Sequence, residues 1–273
     1  MSLTNSINTN VSAALALEQL NQTRTQLSAT QLAVTTGLKV NGPQDDASSF
    51  AIALNLKGTI AGDSAVQTAL ATGESTVNVA VNAGQSIADL LTQAKAKIVE
   101  ANQSGLDATS RTALHNDFAA LRSQIDTIVA TASFNGANLL QSGATTLNVL
   151  STADGSVIAV SAQGLTTSAL GISAADLTTS GSSTAALAAI NTAITTVSNA
   201  LAALGSSVSR ITIQSSFTGK LIDTLNAGVG NLIDADMAQQ SAQLQALQIK
   251  QQLGVQALAI ANTGPQALLS LFR

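Results

Sequence analysis

From about Ala47 to Asn102 the chain carries helical apolar spacing without a strong break. At 1.5 Å per residue such a helix is about 80 Å long, too long for an ordinary globular core. It must lie against other helices of similar length. The expectation is therefore a mainly α fold: a long antiparallel helical bundle or coiled coil. Gly62, Gly73 and Gly84 are spaced eleven apart within this stretch. Eleven residues make about three helical turns, so the three share one face. Val66, Leu70, Val77, Val81, Leu91 and Ile98 line it with them. A glycine inside a helix costs about 1 kcal/mol relative to alanine. Three on one apolar face predict another backbone packed closely there.

The partners come later in the chain. Ser104-Gly105 is a break, followed by a stripe of Leu114, Phe118, Leu121, Ile125 and Ile128 at steps of 4, 3, 4 and 3. Phe134-Asn135-Gly136 supplies turn chemistry. Leu147 and Val149, then Ile158 and Val160, alternate with polar residues around Asp154-Gly155, a short-hairpin signal. Residues 161–184 are rich in Ser, Thr, Gly and Ala, with Asp176 their one charge, and read as an exposed cap. Ser182-Ser183-Thr184 can then cap a second long helix. Its stripe runs through Leu187, Ile190, Ile194, Val197, Leu201, Leu204, Val208 and Ile211, and continues through Ile222, Leu225, Val229 and Leu232. Gly228 and Gly230 are expected to interrupt it.

The two ends of the sequence mirror each other. Residues 1–38 carry only Glu18 and Arg24 as charges, and Ala13, Leu17, Leu20, Leu27 and Val34 fall on coiled-coil-like spacing. Asn5, Asn8, Thr9 and Asn10 precede them with helix-starting chemistry. Thr35-Thr36-Gly37 and Asn41-Gly42-Pro43 break the helix, and Asp45-Asp46 supplies the next N-terminus. From Asp234 onward, Leu244, Leu247, Leu258, Ala261 and Leu268 recur at helical spacing, and Leu271 and Phe272 follow. Glutamine fills much of the other face, and the charges are Asp234, Asp236, Lys250 and Arg273. Two nearly uncharged apolar helices suit each other, or copies of each other in an assembly. The expected division is 1–38 with 234–273 as a terminal-helix pair, and 39–136 with 184–233 as a long-helix domain. Residues 137–183 are its small β-containing cap.

Composition narrows the function classes. Charge is 10% with a net of −4, which is no nucleic-acid footprint. No uninterrupted apolar run reaches bilayer-spanning length, so membrane insertion is not expected. The first residues, MSLTNSINTN, lack the basic and apolar regions of a secretory signal. With no cysteine there are no disulfides and no thiolate metal sites. His115 is the one histidine and reads as a boundary residue, with no nucleophile elbow nearby. No phosphate loop or HExxH motif occurs. Asp45-Asp46 and Asp234/Asp236 each lie at a break and read as caps. No catalytic, cofactor or metal residues are expected, and the chain is not expected to be an enzyme.

Three stretches carry a family likeness. TTGLKVNGPQDDAS (residues 35–48) resembles the bacterial flagellin N-terminal motif, as does the opening INTNVSAALALEQLNQT. QQLGVQALAIANTGPQALLSLFR resembles the flagellin C-terminal region, and Phe134-Asn135-Gly136 matches a family landmark. The likeness covers roughly the first 140 and last 90 residues. It implies a flagellin of compact type, a secreted subunit of the helical flagellar filament. It further implies terminal helices that line the inner tube and order on assembly. Export through the flagellar type III apparatus with a chaperone, and contact with hook-associated junction and cap proteins, follow from the same likeness. The filament-core contacts would then be Leu17, Leu20, Leu27, Leu244, Leu247, Leu258, Leu268, Leu271 and Phe272. Compact flagellins are often O-glycosylated, with Thr145, Ser151, Ser161, Thr166, Thr167 and Ser168 the candidates. Leu32-Ala33-Val34 replaces a family arginine, and Leu91–Ala101 lacks the arginine-rich pattern that innate receptors read. A hook–filament junction protein shares the terminal-helix plan and is the alternative.

Overall fold

A computed structural model describes residues 9–270, with side chains described through Thr263. Its elements are helices α1 (Val11–Thr36), α2 (Ala47–Ala101) and α3 (Ala108–Thr131), strands β1 (Leu147–Leu150) and β2 (Val157–Val160), and helices α4 (Ser180–Ile233) and α5 (Met237–Ser270). The chain forms two compact units. One contains the described residues up to Gly58 and from Thr224 onward; the other is Thr59–Asp223. The division falls inside α2 and α4, whereas the sequence places it at the breaks near residues 38 and 234. Both long helices therefore contribute residues to each unit.

In the first unit α1 and α5 lie antiparallel. Asn10 Nδ2 donates to the carbonyl of Ala261 at 2.8 Å. At the other end Leu38 bridges Asp234, and the Ala235 N–H donates to the Gly37 carbonyl at 2.8 Å. Local chemistry sets the helix ends. Asn10 is the N-cap of α1, accepting from the Ala13 N–H at 3.0 Å. Gly37 closes the helix at φ 74°, a left-handed conformation that suits glycine. The Asp46 carboxylate accepts from the Ser48 and Ser49 amides and the Ser49 hydroxyl at the start of α2. Those bonds hold its pKa below the ordinary carboxylate value, the Ser49 hydroxyl contributing most. Asp45 accepts from the Asn41 and Gly42 amides and so fastens the preceding turn. Asp236 caps α5 through the Ala238 and Gln239 amides. Both aspartate pairs thus include helix caps. Asn5 and Asn8 lie outside the described residues.

Gly228 and Gly230 do not interrupt α4, which continues to Ile233. The chain leaves the helix only where its last carbonyls find new donors. Lys39 N–H and Val40 N–H both donate to Ile233 O, and Lys39 Nζ donates to Asn231 O at 3.0 Å. A cation there also complements the helix dipole.

In the second unit α2 and α4 run antiparallel in steady register. Thr184 meets Asn102, Leu201 lies over Gly84, Thr212 meets Glu74, and Gly219 lies beside Gln67. The core gathers Leu70, Val77, Ile87, Leu91 and Ile98 of α2, Phe118 and Ile125 of α3, and Ile190, Val197, Leu204 and Ile211 of α4. One window of α4 has a mean hydropathy of 1.4, long and apolar enough by length and composition to cross a membrane. Here its apolar stripe faces the core. Many threonines survive inside helices because their hydroxyls bond back to the carbonyl four residues earlier, as in buried Thr23 and Thr76.

The hairpin pairs antiparallel, Leu147 with Val160 and Leu150 with Val157. Val149, Ile158 and Val160 point inward. The connection is longer than a two-residue Asp154-Gly155 turn: it spans 151–156, with Ser151 N–H donating to Ser156 O and Gly155 at φ 91°. Phe134-Asn135-Gly136 makes the tight turn its residues suggest. Phe134 and Ala137 exchange two backbone bonds of 2.9 Å, and Asn135 and Gly136 take φ values of 49° and 80°.

Candidate assembly surfaces

The α1–α5 seam uses part of the apolar stripes. Leu20, Thr23, Leu27, Thr30 and Ala33 are buried on α1, and Leu247 on α5. Leu244 and Leu258 are half-buried. Gly254 admits the Leu20 side chain; a Cβ there would lie 3.1 Å from Leu20 Cδ1. Leu20, Leu27 and Leu247 therefore fill a contact within one chain. Leu17 lies off the seam and is exposed. Leu271, Phe272 and the Leu268 side chain lie outside the described residues.

The surface left over is unusual. On α1, Val11, Leu15, Leu17 and Leu32 are exposed, Leu15 at 67%. On α5, Ile249, Leu253, Val255 and Ile260 are exposed, Ile260 at 72%. Charge is scarce around them: Glu18 and Arg24 on α1, Lys250 on α5. A soluble chain ordinarily scatters exposed apolar residues singly. Two adjacent helices carrying them with so little charge form a surface that water alone covers poorly. Of these, Leu17 falls on the sequence stripe; the others stand outside the dominant register and carry no stripe signal. The available signal was their apolar identity at positions where a surface helix would be charged.

The three spaced glycines have different neighbours. A Cβ on Gly73 would lie 2.5 Å from both Val149 methyls on β1. One on Gly84 would meet Leu201 Cδ2 of α4 at 2.9 Å, and one on Gly62 would meet the Ala153 Cβ at 3.2 Å. What approaches is thus side chains, from the hairpin at two positions and from a helix only at Gly84, not a second backbone. Gly73 also lies in a groove of about 450 Å³ with Thr68, Thr72, Phe134 and Leu147.

The segment before α4 is no loose loop. Leu165, Leu170, Ile172 and Leu177 enter the core, and polar side chains of α3 grip the backbone between them. Arg122 Nη1 donates to the carbonyls of Ile172, Ser173 and Ala175, while its guanidinium stands 5.1 Å from the Phe118 ring centre. The Asp126 carboxylate accepts from the Thr167 amide at 2.9 Å and hydroxyl at 2.7 Å. This removes two modification candidates: Thr167 is 6% exposed with its hydroxyl engaged, and Ser151 is 9% exposed. Thr166 is half-buried; Thr145, Ser161 and Ser168 are exposed. The start of α4 also differs from expectation. Thr179 Oγ1 accepts the Ser182 N–H at 3.2 Å, so the helix begins at Ser180 rather than after Ser182-Ser183-Thr184.

Among the described residues no group of three or more His, Cys, Asp or Glu side chains is arranged to hold a metal ion. What the geometry defines is a helical subunit with an uncovered apolar face. The chain matches the family model described as the bacterial flagellin N-terminal helical region over residues 7–145, and that of the C-terminal helical region over 187–272. It is 43% identical to flagellin FljM of Caulobacter vibrioides, covering 98% of this chain and 99% of that one. It is 38% identical to a flagellin of Brucella melitensis over 98% and 99% of the two chains. In fold it resembles the crystal structure of Bacillus cereus flagellin, with a TM-score of 0.51 and 21% identity, over 55% of this chain and 88% of that one. The chain belongs to the bacterial flagellin family. It is a structural subunit of the extracellular flagellar filament and not an enzyme, and nothing supports the junction-protein alternative.

Proposed function

We propose that the outward apolar faces of α1 and α5 are the polymerisation surface, each burying itself against the same two helices of neighbouring copies in the innermost layer of the filament. The observation that carries this is the exposure of Leu15, Leu32, Leu253 and Ile260 on a nearly uncharged helix pair. Burying one such side chain is worth about 1.5–3 kcal/mol, and many shared across each interface supply the driving force. Contacts between unlike faces of identical copies do not close; they propagate as an open helix. Leu17 belongs to this surface, and the half-buried Leu244 and Leu258 border it. Leu20, Leu27 and Leu247 stiffen the pair that presents it. In this reading the terminal helices form the inner layer, the long-helix unit the next, and the hairpin with residues 161–179 the outer cap.

Family membership supports the remaining partners. The same faces meet junction proteins at the hook and the cap at the growing tip. Before assembly an export chaperone covers them, and the chain is secreted unfolded through the flagellar type III apparatus. A sequence without cysteine has no disulfide to form after transit. The test is a chain carrying Leu15→Asp and Leu253→Asp. It should keep the circular dichroism of the parent monomer and fail to sediment as filaments when seeded. Wild-type yields of filament from that chain would exclude these faces as the polymerisation surface.

A further inference from the structure

His115 stands about a third of the way along α3 with its side chain 27% exposed. Its Nδ1 faces two groups that ask opposite things of it. The Leu177 N–H points at Nδ1 at 3.3 Å and needs a lone pair there. Asp176 Oδ1 lies 3.3 Å from the same atom and needs a proton there. One ring nitrogen cannot satisfy both. We propose that His115 is a two-position, pH-sensitive clasp on the segment leading into α4: neutral, it holds the Leu177 amide; protonated, it turns to the Asp176 carboxylate and lets the amide go.

The surroundings favour a switch over a static compromise. Asp176 is fixed in place, because its two oxygens accept the Thr178 amide at 2.9 Å and the Thr178 hydroxyl at 2.8 Å. These bonds, the Thr178 amide first, lower its pKa, with smaller contributions from His115 and from the Leu177 amide, which the carboxylate shares with the ring. The carboxylate is thus ready as an anion when the imidazole charges. Leu177 is fully buried in the core, and its carbonyl accepts from Ser183 Oγ at 3.4 Å in the first turn of α4. Release of its amide therefore acts where the cap segment joins the long helix.

The other charges around this segment, among the described residues, are already engaged: Arg122, two turns later on α3, is held by the Ile172, Ser173 and Ala175 carbonyls beside Asp176. Arg111, one turn earlier on α3, is committed to the Ala101 and Gln103 carbonyls. On α2, Lys97 pairs with Asp117 at 3.1 Å and with Glu100 at 3.9 Å. Residues 173–209 contain no ionisable side chain other than Asp176. Histidine is the side chain type whose charge ordinarily changes between pH 5 and 8, which sets the two pH values to compare.

Amide hydrogen exchange of the full-length monomer at pH 5.5 and 8.0, corrected for the intrinsic chemical rate, tests this. Protection at Leu177 should fall about fivefold at pH 5.5, the effect of losing one hydrogen bond. The Thr167 amide, held by Asp126, serves as the internal reference and should not change. His115→Gln offers a carbonyl acceptor at every pH and should abolish the difference. Asp176→Asn removes the acid-side partner and should reduce the loss of Leu177 protection at pH 5.5. Equal Leu177 protection at both pH values in the wild type, or an unchanged pH dependence in H115Q, would overturn the proposal.

Discussion

Replacing Gly73 with alanine sets two known effects against each other. In an exposed helix interior, Gly→Ala stabilises by about 1 kcal/mol. Gly205→Ala in α4 should give that gain alone, since a Cβ there meets nothing within 4 Å. At Gly73 the new methyl would lie 2.5 Å from both methyls of Val149 and 3.1 Å from its Cβ. Val149 cannot easily yield: it is β-branched, 3% exposed, and paired with Ile158 in the hairpin. Overpacking of this kind costs about 1–3 kcal/mol. Gly73→Ala should therefore end about 0–2 kcal/mol less stable than the parent, while Gly205→Ala ends about 1 kcal/mol more stable. Urea unfolding of the monomer, followed by circular dichroism at 222 nm, measures both. Adding Val149→Ala should make the pair less damaging than the sum of the single changes, a favourable coupling in the double-mutant cycle. If Gly73→Ala stabilised as much as Gly205→Ala, the glycine would not be there for the hairpin.

Arg122→Ala removes three carbonyl contacts and the stack on Phe118; it should cost about 2 kcal/mol by urea unfolding and raise protease sensitivity in residues 165–178. Asn10→Ala removes the α1 cap and its link to Ala261, worth about 1 kcal/mol, so amide exchange at the start of α1 in assembled filaments should be about five times faster. Acid acts through Asp46, Asp107 and Asp176, all with lowered pKa through hydrogen bonds from nearby amides and hydroxyls. A depressed folded pKa gives stability that is complete above the unfolded value of about 3.9 and lost as pH falls through the folded one. The urea midpoint contributed by these groups should stay level down to about pH 5 and drop below about pH 4.

The helices were legible because each buries one stripe with regular steps, as in Ile190, Val197, Leu204 and Ile211, and because Asn10 and Asp46 sit where caps belong. The hairpin was legible through alternation at Val149, Ile158 and Val160. The cap segment was not. Leu165, Leu170, Ile172 and Leu177 have no single period, and what draws them inward is Arg122 and Asp126 on a helix some fifty residues earlier in sequence. The end of α4 was misplaced for a related reason. Gly228 and Gly230 weaken a helix locally, yet the actual stop is set by amides of residues 39 and 40 from the other end of the chain. The assembly face was half legible: the scarcity of charge pointed to it, but stripe register picked out Leu20, Leu27 and Leu247, which the partner helix of the same chain already covers.

The most direct measurement is a filament structure by electron cryomicroscopy at side-chain resolution. Leu15, Leu32, Leu253 and Ile260 should be buried against α1 and α5 of neighbouring copies, with Leu20 and Leu247 still facing each other's helix within one chain. A filament in which those four side chains face solvent, with copies joined only through the long-helix unit, would contradict this arrangement.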